Sequence, residues 1–213
     1  MHHSLKKSKT CLGGFDDGYF ERNWQKTVAV LALHDYTTLH PHTALMTTIT
    51  VDGGDAVEAL EELVERAKEY CDSIKAVFLD TIVYAGFNIL DPWKALERLQ
   101  IPLIIVYTYF PDVNAIETAL RKHFDDWRQR LKPILEVVSR LRKASCPRGT
   151  IYIASYGIEY SDAWHLTCRA QLYSRQPEPL YTSNKLASKI ARRLVARLKN
   201  PSPNSTTLVW LGR

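Results

Sequence analysis

The feature that most constrains the fold of this chain is a series of short apolar segments rich in β-branched and aromatic residues. Five such segments, each six or seven residues long, lie at 28–34, 45–51, 75–80, 103–109 and 150–156. Their length and composition predict β-strands, and one more strand is expected within 14–17, at the end of an earlier apolar run. Because the first strands follow one another and the later ones alternate with helical patterns, the sequence predicts an α/β fold. The expected sheet is mixed, with three antiparallel strands followed by parallel strands and with helices on both faces.

Helical periodicity is clearest in the segment DAVEALEELVERAKEY, residues 55–70. Its apolar residues recur at intervals of three and four while its glutamates face away, which is typical of an amphipathic helix. Asp55 stands at the start of this helix, where a carboxylate suits the capping position. A second helix is expected from about Asn114, with Pro133 kinking or dividing it. Two further helices are predicted at 161–173 and 183–199.

Length and charge limit the organisation of the chain. A chain of 213 residues is most simply one domain. We expect that domain over residues 11–199, preceded by a mobile basic tail at 1–10 and followed by a C-terminal tail at 200–213. Lys and Arg number 28 against 23 Asp and Glu, a formal net charge of +5. This balance permits a polyanionic partner without requiring one.

The cysteine pattern and the apolar segments bear on the cellular compartment. Four cysteines at positions 11, 71, 146 and 168 form no CxxC or Cys/His motif, which argues against a zinc site and predicts reduced thiols. The apolar segments are too short to span a bilayer, and the first residues lack the apolar core of a signal peptide. The sequence therefore predicts a cytoplasmic protein with no membrane partner, and it leaves the oligomeric state open.

Three aspartates, Asp16, Asp52 and Asp80, stand at the boundaries of predicted elements. If strands 14–17 and 75–80 are neighbours, Asp16 and Asp80 converge at one edge of the sheet, and Asp52 reaches them from the mouth of the next helix. Three carboxylates in one cleft favour Mg²⁺ or Mn²⁺, which can activate water for phosphodiester hydrolysis. Asp17 and Asp55 are further candidate ligands. The alternative is that these aspartates only cap helices and form turns.

A basic segment without any acid runs from Thr182 to Lys199. It carries an apolar stripe at helical spacing and an exposed set of cations. A solvated helix face usually mixes the two signs of charge, so an unmixed basic face is better explained by phosphate contacts or by an acidic neighbour; the alternative is an ordinary solvated face. The candidate nucleic-acid contacts on this face are Lys185, Lys189, Arg192 and Arg193.

Several segments together resemble a known family. The segments GGFDDGYF, VDGGDAVEAL, VFLDTIVYAGFNILD, FPDVNAIETALRKHF and RQPEPLYTSNKLASKIARR occur in this order over about residues 9–199. They are similar to the archaeal endonuclease dU family, a relative of endonuclease V. The resemblance implies a ribonuclease H-like fold and Mg²⁺-dependent cleavage of DNA next to a deaminated base, in DNA that is single-stranded or locally opened.

The resemblance also assigns roles to the acidic residues. The metal-binding aspartate of the first strand corresponds to Asp16, and the aspartate that closes the fourth strand corresponds to Asp80. The acid at the start of the first helix corresponds to Asp52, with Asp55 as the competing position. In this chain Asp17 either assists Asp16 or turns outward to bond the chain behind it.

Other positions concern the nucleic acid. Arg175 matches the arginine of a PEP-like turn, and Asn184 stands where endonuclease V has a histidine, so this side chain can hydrogen-bond water or phosphate but cannot transfer a proton. Tyr107 to Phe110 occupy a region that is usually basic in this family; they are candidates for stacking on a base but cannot neutralise a phosphate. Gly86 and Phe87 are expected to form part of the pocket for the deaminated base, and the alternative for Phe87 is ordinary core packing. The alternatives are a nucleic-acid-binding module that cleaves nothing and a nuclease for structured RNA.

Overall fold

The computed structural model describes residues 9–21 and 23–199, with the backbone alone for 195–199. The predicted tails at 1–8 and 200–213 lie outside the described residues, whereas Lys9 and Thr10, assigned to the first tail, belong to the domain. The backbone N–H of Lys9 donates to Asp72 at 2.6 Å, and Thr10 begins the first strand. The strands are β1 Thr10–Asp17, β2 Lys26–Asp35, β3 Pro41–Thr50, β4 Ser73–Leu79, β5 Val83–Tyr84, β6 Asn88–Ile89, β7 Leu103–Tyr107, β8 Arg142–Cys146 and β9 Gly149–Tyr156. The helices are α1 Ala56–Ala67, α2 Pro92–Leu99, α3 Val113–His123, α4 Trp127–Arg140, α5 Tyr160–Arg169 and α6 Glu178–Lys199.

Seven strands form one mixed sheet in the order β3-β2-β1-β4-β7-β9-β8, and β5 and β6 form a separate hairpin. β1, β2 and β3 are antiparallel, and β4 and β7 run parallel to β1. The predicted mixed sheet is confirmed. The strand predicted at 150–156 is β9, which runs antiparallel to β7, because the unpredicted strand β8 precedes it in a tight hairpin that pairs Cys146 with Gly149.

Helices cover both faces of the sheet, as predicted. On one face Leu60 of α1, Ala95 of α2 and Leu131 of α4 are buried in the cluster that contains Phe15 of β1. On the other face residues of α5 and α6 join a second cluster around β4, β7 and β9. β1 is an inner strand of the sheet, and helices cover both of its faces. Its C-terminal end therefore lies between the two helical layers.

Helix boundaries differ from the prediction in the segment that contains Pro133. The break falls at Phe124, whose extended backbone ends α3, and Pro133 lies inside α4. Asp112 begins α3 by accepting a hydrogen bond from the Ala115 N–H at 3.0 Å. The prediction that Pro133 kinks or divides the helix is therefore wrong about the place of the division. α6 also begins five residues before the predicted position, since Pro179 is compatible with the first turn of a helix.

The prediction of reduced thiols is wrong. Cys11 is bonded to Cys71 and Cys146 to Cys168, with Cα atoms 6.1 and 5.1 Å apart. Both separations lie in the range that a disulfide can bridge. The partners are 60 and 22 residues apart in the sequence, and only the packing of α1 and α5 on the sheet brings them together.

No described helix is both long enough and apolar enough to cross a membrane.

Candidate active site

Asp16 and Asp80 lie next to each other at the C-terminal ends of the inner strands β1 and β4. β1 and β4 are parallel, and Phe15 is paired with Leu79, so the next residues lie side by side: Asp16, still within β1, and Asp80, directly after β4. The carboxyl ends of neighbouring parallel strands are where α/β folds place their sites. The side chain of Asp16 is only 4% exposed in spite of its charge.

One oxygen of each carboxylate, Asp16 and Asp80, lacks the hydrogen bond that a buried charged group normally has. Oδ1 of Asp16 accepts a hydrogen bond from the Asp17 N–H at 2.8 Å, but Oδ2 of Asp16 and Oδ1 of Asp80 are buried without a partner among the described residues. Burial raises the pKa of Asp16 to about 6. Burial, and then the charges of Asp16 and Asp17, raise the pKa of Asp80 well above its ordinary value. Two neighbouring carboxylates that are both charged and shielded from water destabilise the metal-free protein, and a bound cation would offset their repulsion.

Asp17 bonds the β5–β6 hairpin, while its carboxyl group stays close to that of Asp16. Its Oδ2 accepts a hydrogen bond from the Ala85 N–H at 2.7 Å, which ties the hairpin turn to the end of β1. Burial and the neighbouring charge of Asp16 raise the pKa of Asp17 to about 7. Of the two roles open to Asp17, the structure shows the second, a bond to the chain behind the site.

The structure does not place Asp52 in this group. Its Oδ1 accepts a hydrogen bond from the Phe87 N–H at 2.8 Å, and Asp52 is not among the main charges that act on Asp16 or Asp80. No cluster of three or more His, Cys, Asp or Glu side chains suited to a metal occurs within the described part of the chain. The expected three-carboxylate cleft is therefore corrected to a pair, Asp16 and Asp80.

Asp55 also has a structural role, and it is not the cap that its position suggests. Its carboxylate accepts hydrogen bonds from the Thr50 hydroxyl at 2.6 Å and from the Asn88 amide at 2.5 Å, and it caps no N–H of α1. The first N–H of α1, from Ala56, donates to the Asn88 side chain at 3.0 Å. The local pattern could not show this, because Asn88 arrives from the hairpin.

Gly86 and Phe87 make structural contacts around the β5–β6 hairpin and do not line an open pocket for a base. Gly86 has φ +86°, and a Cβ here would lie under 3.0 Å from Oδ1 of Asp52, so glycine is needed to admit the Asp52 bond. The Phe87 ring packs edge-on against Phe124, with ring centroids 5.5 Å apart, and against the core. The expectation that these two residues contact a base is not supported by their placement.

Arg130 holds the same region together and was not expected from the sequence. Its Nη1 donates to the carbonyl oxygens of Asp52 at 3.0 Å and Phe87 at 2.6 Å, and its Nε donates to Asp126 at 2.9 Å. No local signal marks this role, because the carbonyls come from segments 78 and 43 residues away.

The closing helix α6 brings Asn184 beside the acidic pair. A Cβ at Gly14 would lie under 3.0 Å from the backbone of Pro179 and Leu180, so the bare backbone of β1 lets the start of α6 rest directly on the strand. The Asn184 amide then faces Asp16 closely enough to lower its pKa, partly offsetting the effect of burial. The structure therefore places Asn184 at the acidic pair.

The cations of α6 follow Asn184 along the exposed side of the helix. Lys185, Lys189, Arg192 and Arg193 are all exposed. Within residues 9–21 and 23–194, none of the four forms an ion pair with a carboxylate. Lys185 lies over the Tyr181 ring at 5.1 Å. This surface is therefore positively charged and available to a polyanion.

The segment after β7 places aromatic side chains next to Asp80. Tyr107 itself is half-buried, and burial raises the pKa of its hydroxyl, so its ring is not a free stacking surface. Tyr109 and Phe110 are the exposed rings, and Arg175 holds the first of them by donating to the Tyr109 hydroxyl at 2.9 Å. Both exposed rings belong to the segment Tyr107 to Phe110, which the sequence offered for stacking on a base.

The raised pKa values predict how the stability of the metal-free protein depends on pH. The folded state binds protons at Asp16 and Asp17 more tightly than the unfolded chain, where the carboxyl pKa is about 3.8. The stabilising contribution is therefore complete below about pH 4 and is lost as the pH rises through 6 to 7. Because a tenfold change in proton affinity corresponds to about 1.4 kcal/mol, we expect the free energy of unfolding to fall by a few kcal/mol between pH 4 and pH 8.

Urea unfolding at pH 5 and pH 8, with EDTA or with Mn²⁺, measures this effect. Mn²⁺ is expected to restore stability at pH 8 and to have little effect at pH 5. Equal stability at both pH values without metal would show that the acidic pair is not under electrostatic strain.

Known proteins resemble this chain in both sequence and fold. Residues 9–191 match the family described as endonuclease dU. The chain is 31% identical over 182 residues to a UPF0215 protein of Methanothermobacter thermautotrophicus, covering 85% of this chain and 88% of that protein. It is 31% identical over 191 residues to a UPF0215 protein of Pyrococcus horikoshii, covering 89% of this chain and 96% of that one.

Solved structures extend the comparison. A protein of unknown function from Archaeoglobus fulgidus has a TM-score of 0.72 and 29% identity, covering 85% of this chain and 98% of that one. Endonuclease V of Ciona intestinalis has a TM-score of 0.62 and 13% identity, covering 90% of this chain and 88% of that one. That structure is a complex with a 23mer DNA containing an inosine followed by a ribo-adenosine. The likeness to endonuclease V confirms the predicted ribonuclease H-like fold. With a family match that extends over residues 9–191, the chain belongs to the endonuclease dU family.

Proposed function

We propose that this protein is a metal-dependent endonuclease of DNA repair that hydrolyses a DNA phosphodiester next to a deaminated base, uracil or hypoxanthine. The observation that carries the proposal is the pair Asp16 and Asp80, each with a buried carboxylate oxygen that lacks a partner among the described residues. Membership of the endonuclease dU family supports nuclease activity. The endonuclease V structure with bound DNA supports DNA as the substrate class.

Asp16 and Asp80 fit a hard divalent cation. Carboxylate oxygens are the ligands that Mg²⁺ and Mn²⁺ prefer, and Mg²⁺ is commonly held by one or two carboxylates together with water and substrate phosphate. The unpartnered oxygens of the two aspartates are therefore suited to Mg²⁺ or Mn²⁺. When bound, such an ion supplies activation of water and neutralisation of charge on the phosphate.

The remaining residues of the site bind and orient the substrate. Asn184, beside Asp16, orients a water molecule or a phosphate oxygen by hydrogen bonding. Asp17 keeps the β5–β6 hairpin against the end of β1 through its bond to Ala85. The exposed cations of α6 contact the DNA backbone, whose phosphates they neutralise irrespective of sequence.

Cleavage of labelled single-stranded and double-stranded oligonucleotides tests the proposal. The substrates carry uracil, hypoxanthine or no deaminated base, and each is incubated with Mg²⁺, Mn²⁺ or EDTA. We expect cutting of the deaminated substrates with either ion and none with EDTA. Binding without cutting under every condition would favour a nucleic-acid-binding module, and preferential cutting of structured RNA would favour a ribonuclease.

The basic face of α6 gives a prediction about affinity. Replacing Lys185 and Lys189 together by alanine is expected to weaken binding to all DNA sequences alike. The slope of log affinity against log salt should decrease by nearly one unit for each phosphate that the variant no longer neutralises. Binding titrations in EDTA over a range of salt concentrations measure it.

Lys122 and Lys132, exposed on α3 and α4 across the sheet, provide the matched control pair. Their replacement by alanine should leave both affinity and salt slope unchanged. If the two double variants have the same DNA affinity and the same salt slope, the basic face of α6 is an ordinary solvated surface and does not bind DNA.

Asn184 gives a prediction about rate. An asparagine cannot accept or donate a proton in catalysis, and general acid or base help is typically worth about a hundredfold to ten-thousandfold. Asn184→His is therefore expected to raise the single-turnover cleavage rate, by up to that factor. Asn184→Ala is the control that removes hydrogen bonding without adding a titratable group. A histidine variant no faster than wild type would place residue 184 outside the reaction.

A further inference from the structure

A cleft of about 280 Å³ adjoins the acidic pair on the side of the segment after β7. Its wall includes Asp80, so the cleft is continuous with the proposed site of hydrolysis. The β5–β6 hairpin does not contribute to it. The lining residues that matter here are Tyr109, Phe110 and Gln176.

Two of the aromatic rings that line this cleft are exposed but held in place by contacts. Tyr109 is 71% exposed and Phe110 is 52% exposed. The Arg175 guanidinium lies 4.7 Å from the centroid of the Tyr109 ring and also donates to its hydroxyl. Phe110 packs edge-on against Tyr152, with centroids 5.3 Å apart. Rigid exposed aromatic residues of this kind mark binding surfaces.

Gln176 adds a polar group to the same cleft. Its backbone N–H donates to the Ser174 hydroxyl at 3.1 Å, and its carbonyl accepts from the same hydroxyl at 3.2 Å. The side-chain amide forms no hydrogen bond within the described part of the chain, so its donors and acceptor are available. A planar ligand that stacks on the rings and carries donors and acceptors on its edge matches this combination.

We propose that this cleft binds one nucleobase of a single-stranded DNA, the base adjoining the phosphate at Asp80. Tyr109 and Phe110 stack on the base, and Gln176 hydrogen-bonds its polar edge. The volume lies just below the about 300 Å³ at which ligand pockets begin, which suits a single base. Arg175 supplies positive charge beside the rings for the attached phosphate. This inference rests on the proposed function, because it takes DNA as the substrate.

Binding measured without metal separates the cleft from catalysis. A series of fluorescently labelled single-stranded uracil oligonucleotides is prepared, each with one nucleotide replaced by an abasic tetrahydrofuran. In EDTA, wild type is expected to lose affinity at one position near the uracil by about fivefold to a hundredfold, the range for stacking of one base. In the double variant Tyr109→Ala/Phe110→Ala, the intact oligonucleotide should bind that much more weakly, with no further loss at that position.

Three single variants refine the result. Tyr109→Phe keeps the ring and is expected to retain the wild-type profile. Gln176→Ala should keep the stacking loss but reduce the difference in affinity among the four bases at that position. Tyr70→Ala, a change at an exposed tyrosine beyond the end of α1, is the control and should alter nothing.

The outcomes distinguish the two proposals. A position-specific loss that disappears in the double variant supports the cleft even if no condition gives cleavage. Cleavage of DNA together with the same abasic profile in wild type and the double variant overturns the cleft alone. Failure to bind any single-stranded oligonucleotide overturns the cleft, and cleavage of the double-stranded substrates then decides the proposed function.

Discussion

Asp80→Ala is expected to abolish metal-dependent cleavage of DNA by this protein. Asp80 is one of the two carboxylates of the acidic pair, each of which has a buried oxygen without a partner among the described residues, and its loss leaves Asp16 alone to hold the cation. The loss of rate should exceed the about ten-thousandfold that general acid–base help is worth, because the ion is lost and not only a proton-transfer group. Single-turnover assays with Mg²⁺ and Mn²⁺ measure it.

Asp162→Asn is the matched control, since Asp162 is an exposed carboxylate on α5. It should retain the wild-type rate. Asp16→Asn should behave like Asp80→Ala. An Asp80→Ala variant that cuts at the wild-type rate would contradict the assignment of the site.

A second substitution at Asp80 distinguishes loss of metal binding from loss of stability. Asp80→Asn removes a buried charge that Asp16 and Asp17 repel, so the metal-free variant is expected to be as stable as wild type or more stable. Calorimetric titration with Mn²⁺ should show weaker binding in the same protein. A destabilised variant with unchanged Mn²⁺ affinity would indicate that Asp80 is a structural residue.

Gly14→Ala is expected to have the largest effect on stability. The added Cβ would lie under 3.0 Å from the backbone of Pro179 and Leu180, and backbone cannot move aside as the end of a flexible side chain can. Overpacking of a core usually costs about 1–3 kcal/mol, and here α6 as a whole must shift, so a loss of about 3 kcal/mol or more is expected. Urea unfolding of the two proteins measures it.

Gly54→Ala is the control for a glycine replacement as such. No atom lies within 4 Å of a Cβ at Gly54. There the change should be neutral or stabilise the fold by about 0.4–1 kcal/mol, because alanine restricts the unfolded chain. Similar unfolding midpoints for the two variants would mean that α6 does not rest on β1 at Gly14.

Prediction from the sequence succeeded where a local pattern has a direct structural meaning. The strands follow from short continuous apolar segments, and α1 follows from apolar residues at intervals of three and four; both patterns depend only on neighbouring residues. The pairing of Asp16 with Asp80 was accessible because the carboxyl ends of parallel strands share one edge of a sheet. Asp52 differs, since its carboxylate is directed by a bond to Phe87, 35 residues away.

The amino-acid sequence by itself determined the alternation of elements, the mixed sheet, the basic face of α6 and the family. Only the tertiary structure decided that the cysteines are paired, that Gly14 lets α6 lie on β1, and that Tyr109, Phe110 and Gln176 line one cleft. These features depend on contacts between residues that are distant in the sequence. Such contacts arise from strand register and from the packing of helices on the sheet, and neither is encoded in the periodicity of a single segment.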